Sequence, residues 1–285
     1  MNWFSEGFNQ MTWPRMLSLI SGREKQEIKK SDVPYTFQFE DILLSEKVNE
    51  QKIRESVERY MQALGSNPLY EKLLAINVEN YLTTNYDHSM DKSMPIGFKY
   101  SKDESDSTRT TYSTQRHRTY KNEKGDVKRI WAIHGDMDSP RSMMLGEDQY
   151  NGSLNQLSLY LKDRKKACED FMKQMERDDY RMRRWMDALF FTDMHIIGFG
   201  LDFSEVDIWW MLVKRKKYLN DGILKKRNYL YFYTTDENQY KMDLLSHLDI
   251  IVERKERPNS PDEWRKLYSG FIDTIGERCG QPIRQ

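Results

Sequence analysis

Arg129-Ile130-Trp131-Ala132-Ile133-His134-Gly135-Asp136 decides how this chain is read. A short, mostly apolar run passes straight into a histidine, a glycine and an acid, the pattern of a strand that ends in a polar turn. The pattern recurs upstream, where Val78 to Leu82 runs into Thr83-Thr84-Asn85-Tyr86-Asp87, and downstream, where Met194 to Ile197 runs into Gly198-Phe199-Gly200-Leu201-Asp202. Strands that alternate with helical stretches indicate an α/β fold with parallel pairing. In open parallel sheets ligands bind beyond the carboxyl ends of the strands. The three polar segments are therefore candidates for one shared pocket. Gly198 and Gly200, placed before a helix whose start can face an anion, favour a nucleotide.

Around these strands the spacing predicts helices. Ile53, Val57, Tyr60, Met61 and Leu64 recur at helical intervals from Asn49 to Gly65, and Gly65-Ser66-Asn67-Pro68 stops that helix. A second helix is expected over about Leu69 to Ala75, then a strand over Val78 to Thr84. The polar stretch from Asp87 to Lys128 shows little periodicity and is read as a functional excursion, a lid or partner contact, or a partly disordered insertion. Residues 154 to 191 read as two or more helices with a basic-rich turn near Arg181. Met194 to Gly198 reads as a buried strand. Ser204-x-x-Asp207 has the form of a capping box, with Val206, Trp209, Trp210 and Val213 as the apolar face behind it. Strands are expected at Asn228 to Thr234 and Ile250 to Glu253, with helices at Glu237 to His247 and from Ser260-Pro261 to about Cys279. No internal repeat or linker stands out, so a single domain over 1–285 is expected, with the 154–191 helical segment within it.

Composition removes several classes. The 285 residues carry 45 Lys+Arg against 45 Asp+Glu, so no basic surplus is available to follow a nucleic acid, and no such partner is expected. No apolar run approaches the roughly 18 residues of a membrane span. Met1-Asn2-Trp3-Phe4-Ser5-Glu6 lacks a basic n-region before an apolar stretch, so a cytoplasmic location is expected. Cys168 and Cys279 are the two cysteines, too few for a disulfide framework or a four-cysteine zinc site. His88, His117, His195 and His247 show no metal-ligand spacing. The basic runs Arg181-Met182-Arg183-Arg184 and Lys214-Arg215-Lys216-Lys217 read as solvated helix faces, and Trp209-Trp210 as core.

Taken in order, Thr83-Thr84-Asn85-Tyr86-Asp87, His134-Gly135 and Gly198-Phe199-Gly200-Leu201-Asp202 resemble the sirtuin-like NAD-binding domains of bacteria. Met11-Thr12-Trp13-Pro14-Arg15-Met16-Leu17 is similar to the Trp-x-x-Leu-Leu helix of that family. Leu145-Gly146-Glu147-Asp148-Gln149-Tyr150 resembles its strand and acidic-x-Tyr segment, and the run through Glu205 and Asp207 into Ile208-Trp209-Trp210 its late helix start. The resemblance implies a Rossmann-like parallel sheet with helices on both faces and a helical insertion. It implies NAD as substrate or ligand, with Asn85 and His134 catalytic and Thr84, Asp87, Gly135, Gly198, Gly200 and Asp202 holding the cofactor. It further implies an antiviral effector that hydrolyses NAD to nicotinamide and ADP-ribose, gated by a protein partner or by homo-oligomerisation. The rival expectation is a catalytically inactive binding or assembly module of the same fold. Relatives open with a strand and a glycine-rich loop; the first glycine here is Gly7, so that strand and phosphate cradle are expected to be missing or to lie upstream of Met1. Without four cysteines no zinc is expected, and deacetylation is the less favoured activity.

The chemistry suits those residues. Breaking the nicotinamide–ribose bond needs little acid help, because the pyridine departs neutral. What the site must supply is ribose orientation, electrostatic support and an oriented water. Asn85 donates and accepts through one amide, and His134 is the natural base. Asn85 and Asp87 also have a reading as plain turn formers, His134 as a structural histidine, and Asp202 as a helix cap.

Overall fold

A computed structural model describes residues 12–23, 28, 32–46, 49–106, 111–161, 182–224 and 228–280. The basic turn at Arg181, Cys168, Met11 and the first glycine lie outside the described residues, as does much of the 154–191 segment. The fold is mixed α/β, and both of its sheets contain parallel pairing. Among the described residues, no helix is long and apolar enough to cross a membrane.

The chain divides into two compact units. One comprises the described residues up to Gln149 and those from Arg265 onward, and the other Tyr150–Trp264. In the first, α1 (Trp13–Ser21), α2 (Tyr35–Glu46) and α3 (Glu50–Gln62) lead to α4 (Pro68–Leu74). Asn49 caps α3 through its side chain, which accepts from the backbone N–H of Gln51 and Lys52, and Asn67 caps α4 in the same way at Leu69. Met16 and Leu17 of α1, Phe39 and Ile42 of α2, and Ile53, Val57 and Met61 of α3 form one apolar core. Tyr86, Met137 and Met143 belong to the same core, so the polar turns next to them are moored in it.

The sheet of this unit has the order β1-β4-β3-β2. β1 (Asn80–Thr83) and β4 (Val127–Ala132) run parallel, with Thr83 opposite Ala132. β2 (Lys99–Asp106) and β3 (His117–Lys121) add antiparallel pairs to β4. This corrects the reading of Asp87 to Lys128 as an aperiodic excursion: the described part holds α5 (Ser89–Lys92) and two strands of the sheet. Those strands lack an apolar alternation because their burial comes from neighbours. His117 stacks on Trp131 across the ladder at 4.3 Å, and Thr119 is buried, its N–H donating to Ser105 Oγ at 2.9 Å. Lys128 is buried too, and its Nζ donates to the carbonyls of Ile76 and Val78 and to the Tyr81 hydroxyl. Burial holds its pKa below the usual lysine value. The final helix, α10 (Pro261–Cys279), is tied to α4 by the Lys72–Asp273 ion pair.

The second unit carries a three-stranded parallel sheet, β5 (Met194–Ile197), β6 (Leu230–Thr234) and β7 (Ile250–Arg254), with β6 central. Its helices are α6 (Glu147–Leu161, which starts at the boundary), α7 (Trp185–Phe191), α8 (Val206–Asn220) and α9 (Gln239–His247). Five expectations change here and at its edge. Leu145 to Tyr150 contains no strand: Glu147 and Asp148 suit a helix N-terminus, and α6 begins at Glu147. β5 is half-buried along its length, because it is an edge strand of its sheet and His195 packs on Tyr231. The capping box at Ser204-x-x-Asp207 does not form. Ser204 instead turns back to Asp202, and α8 starts after Glu205. The buried face of α8 is Ile208, Trp209, Met211, Leu212 and Tyr218, whereas Val206, Trp210 and Val213 are only half-buried. Arg215, in a run read as solvated, is 0% exposed. It lies on that buried face and donates to Asn228 Oδ1, the Asn228 carbonyl and the Leu248 carbonyl.

Candidate active site

The first unit brings five of the expected site residues together. β1 and β4 are adjacent and parallel, and their pairing continues past the strand ends. Ile133 N–H donates to the Thr83 carbonyl at 2.9 Å, and Met137 N–H to the Tyr86 carbonyl at 3.0 Å. Thr84 and Asn85 on one side, and His134, Gly135 and Asp136 on the other, occupy the interval between these two bonds. Two separate turns are thus zipped into one polar cluster.

Each turn is built by alternation about a core residue. Tyr86 enters the apolar core and donates its hydroxyl to the Met144 carbonyl at 2.5 Å. That leaves Asn85 and Asp87 on either side of it. Asn85 is half-buried and donates Nδ2 to the Tyr70 hydroxyl at 3.1 Å, which fixes the amide plane. Tyr70 stays protonated, because burial and then the nearby Asp87 raise its pKa far above the usual phenol value. Asp87 is buried and accepts the Ser89 N–H at 2.8 Å, so it shapes the entry to α5.

On the other turn, His134 is 2% exposed and its carbonyl accepts from Met144 N–H. Gly135 has φ +102°, and a Cβ there would lie 2.1 Å from the Ser142 carbonyl oxygen, so glycine is required twice over. The 140–144 segment that presses on this turn is itself held by Arg54 of α3. Arg54 is buried, donates to the carbonyls of Pro140 and Met143 at 2.9 and 2.6 Å, and pairs with Glu50.

Behind the turns lies a charged network. Arg118 of β3 forms a two-pronged pair with Asp91 of α5, Nε to Oδ1 at 2.6 Å and Nη2 to Oδ2 at 2.8 Å, and also pairs with Asp136. Tyr120 donates its hydroxyl to Asp91 at 2.7 Å. His88 Nε2 lies 3.1 Å from Asp136 Oδ1 and 3.7 Å from Asp138 Oδ2. Burial and then the Arg118 charge hold His88 below its usual pKa. One ligand atom each from His88, Asp136 and Asp138 fall within 4.8 Å of one another, a spacing open to a cation. The guanidinium already on Asp136, and the imidazole bonded to the same carboxylate, make an ion-pair network the better description.

Asp91 and Arg118 escaped the sequence reading, Asp136 was read only as part of the His134-Gly135-Asp136 turn, and His88 was read only as lacking metal-ligand spacing. Their partners lie on different strands, and Arg118 sits on a strand that shows no apolar signature. The usable signal was local: His88 directly follows the Asn85–Asp87 turn, and Asp136 directly follows His134-Gly135.

Gly198, Gly200 and Asp202 belong to the second unit. Gly198 has φ +67° and Leu201 φ +46°, a left-handed conformation held because Leu201 is buried. At Gly200 a Cβ would meet nothing within 4 Å, and its carbonyl accepts from Lys241 Nζ at 3.0 Å. Asp202 is exposed. Its Oδ1 accepts from the Ser204 N–H and hydroxyl at 2.9 Å, and its carbonyl from Trp209 Nε1. Its described contacts are those of an Asx turn leading into α8.

A family model described as a SIR2-like domain matches residues 79–251, more than half of the chain. No curated protein matches it.

Proposed function

The chain belongs to the SIR2-like family of NAD-binding domains, and on that premise we propose that it hydrolyses NAD to nicotinamide and ADP-ribose at the joined ends of β1 and β4. The observation that carries the proposal is the zipping of the Asn85 and His134 turns into one cluster by the Ile133 and Met137 backbone bonds. The donor set fits a nucleotide ribose. Asn85 offers an amide whose carbonyl can accept a hydroxyl proton, and His134 an imidazole that can take one. Asn85 orients the ribose, with its own plane set by Tyr70. His134 removes or holds a ribose hydroxyl proton in the transition state. Thr84, Asp87 and Gly135 of the first unit, and Gly198, Gly200 and Asp202 of the second, keep the cofactor-holding role that the family resemblance implies. The reading assigns no zinc.

In the cell this activity makes the chain an NAD-depleting antiviral effector, kept silent until an activating partner or self-association triggers it. The test is nicotinamide release from NAD by the purified chain and by His134→Ala. Release by the parent and loss in the variant support hydrolysis at this site. Release that survives His134→Ala would contradict hydrolysis at this site, whereas NAD binding without release under any activating condition favours the inactive binding or assembly module.

A further inference from the structure

Most of the charged network behind the site has an evident structural duty: Arg118 joins α5 to β3, and Asp91 is consumed by Arg118 and Tyr120. His88 does not fit that description. Its Nε2 engages Asp136, while its Nδ1 makes no hydrogen bond with any described residue. A carboxylate that accepts from one ring nitrogen fixes the tautomer and turns the other nitrogen into a lone-pair acceptor. Asp136 is itself immobilised by four groups. Arg118 holds Oδ2, His88 and the Asp138 N–H hold Oδ1, and the Asp136 N–H donates to Ser142 Oγ at 3.0 Å. The ring is thus aimed by a rigid support, three residues beyond Asn85 and bonded to the residue two beyond His134.

We propose that His88, oriented by Asp136, is a second acid–base residue of this site and takes the proton of the attacking water through Nδ1. The inference rests on the NAD-hydrolysis reading above and divides its labour, with Asn85 and His134 serving the ribose and His88 the nucleophile. In the step, the water oxygen bonds to ribose C1′, and the bond from C1′ to the pyridine nitrogen breaks with its electron pair going to nicotinamide. The water proton moves to His88 Nδ1 and leaves to solvent, so NAD and water give ADP-ribose, nicotinamide and one proton. Five charged groups bear on the ring: Asp87, Asp91, Asp136, Asp138 and Arg118. Burial and Arg118 prevail and favour the neutral imidazole, the form that can act as a base.

The experiment compares the full chain with His88→Gln, which keeps a donor toward Asp136 but has no titrating nitrogen. We expect kcat for nicotinamide release to fall about 100-fold or more, the NAD dissociation constant to stay within about threefold, and the acidic limb of the kcat–pH profile to vanish. A kcat within about threefold of the parent, a retained acidic limb, or a dissociation constant that rises in step with the loss of kcat would overturn the inference and leave the hydrolysis reading standing. Loss of release on adding EDTA with recovery on adding a divalent cation would also overturn it, since the trio would then be a metal site. No release from the parent under any activating condition overturns the reading and this inference together. A measurement independent of turnover completes the test. Nitrogen NMR of the histidines in the intact chain should show neutral His88 protonated at Nε2, and a proton on Nδ1 instead would refute the assignment.

Discussion

The turns after β4 and after β5 occupy the same place in their respective sheets, the carboxyl end of a parallel strand, yet they are built differently. The His134-Gly135-Asp136 turn is buried and fixed from several sides by Ser142, Met144, Arg118 and His88. The Gly198–Asp202 turn is largely held locally, by an Asx turn at Asp202 and by Lys241 on the Gly200 carbonyl. A turn with buried, cross-linked polar groups can hold reacting atoms to within fractions of an ångström, whereas the second turn has open space at Gly200. The proposed hydrolysis accordingly places its chemistry at the first.

The comparison is broken most readily through activity. His134→Ala and Asn85→Ala should each lower nicotinamide release by roughly two to four orders of magnitude, whereas Asp202→Ala should cost less than about tenfold and act mainly on KM. Steady-state kinetics on the three variants decide it, and an Asp202→Ala loss as large as that of His134→Ala would erase the distinction.

Two glycines sharpen the contrast at the level of stability. Gly135→Ala forces a Cβ against the Ser142 carbonyl in a left-handed backbone and should cost about 3 kcal/mol. Gly200→Ala enters open space and should stay within about 0.5 kcal/mol of the parent. Urea unfolding measures both.

A smaller effect is expected at Arg54. Arg54→Met keeps most of the side-chain volume but leaves the carbonyls of Pro140 and Met143 without their donor, for a loss of about 2 kcal/mol. Because that segment braces the His134 turn, kcat should fall along with the melting temperature.

The smallest effect is a slope. His88 has a pKa below its ordinary value of 6.5 in the folded chain, so the unfolded chain binds more protons in that range. The stability tied to its neutral form is complete above about 6.5 and is lost as pH falls through the lowered folded value. Chemical denaturation from pH 7.5 downward should show this loss in the parent and a flatter profile in His88→Gln.

What the sequence disclosed, and what it hid, follows the same physics. The strands ending at Thr83, Ala132 and Ile197 were legible because short apolar runs stop at polar turns, α3 because its apolar residues recur at helical spacing up to Gly65-Ser66-Asn67-Pro68, and α10 because Ser260-Pro261 marks its start. β2 and β3 were hidden: their residues satisfy one another through polar pairs and ring stacking, which leaves no period-two apolar signal. Arg215 was hidden for a related reason. A basic run implies solvent, and only the Asn228 and Leu248 acceptors, distant in sequence, reveal that one of its members is buried. Asn85 and His134 stood out through their motifs, while the Asp136, His88 and Arg118 support required two strands and a helix to be placed first.

The most direct test of the central claim is amide hydrogen exchange of the full chain with and without millimolar NAD. The account requires protection at residues 84–88 and 133–138, with a smaller change at 198–204. Protection confined to 198–204, or no change anywhere, would contradict it.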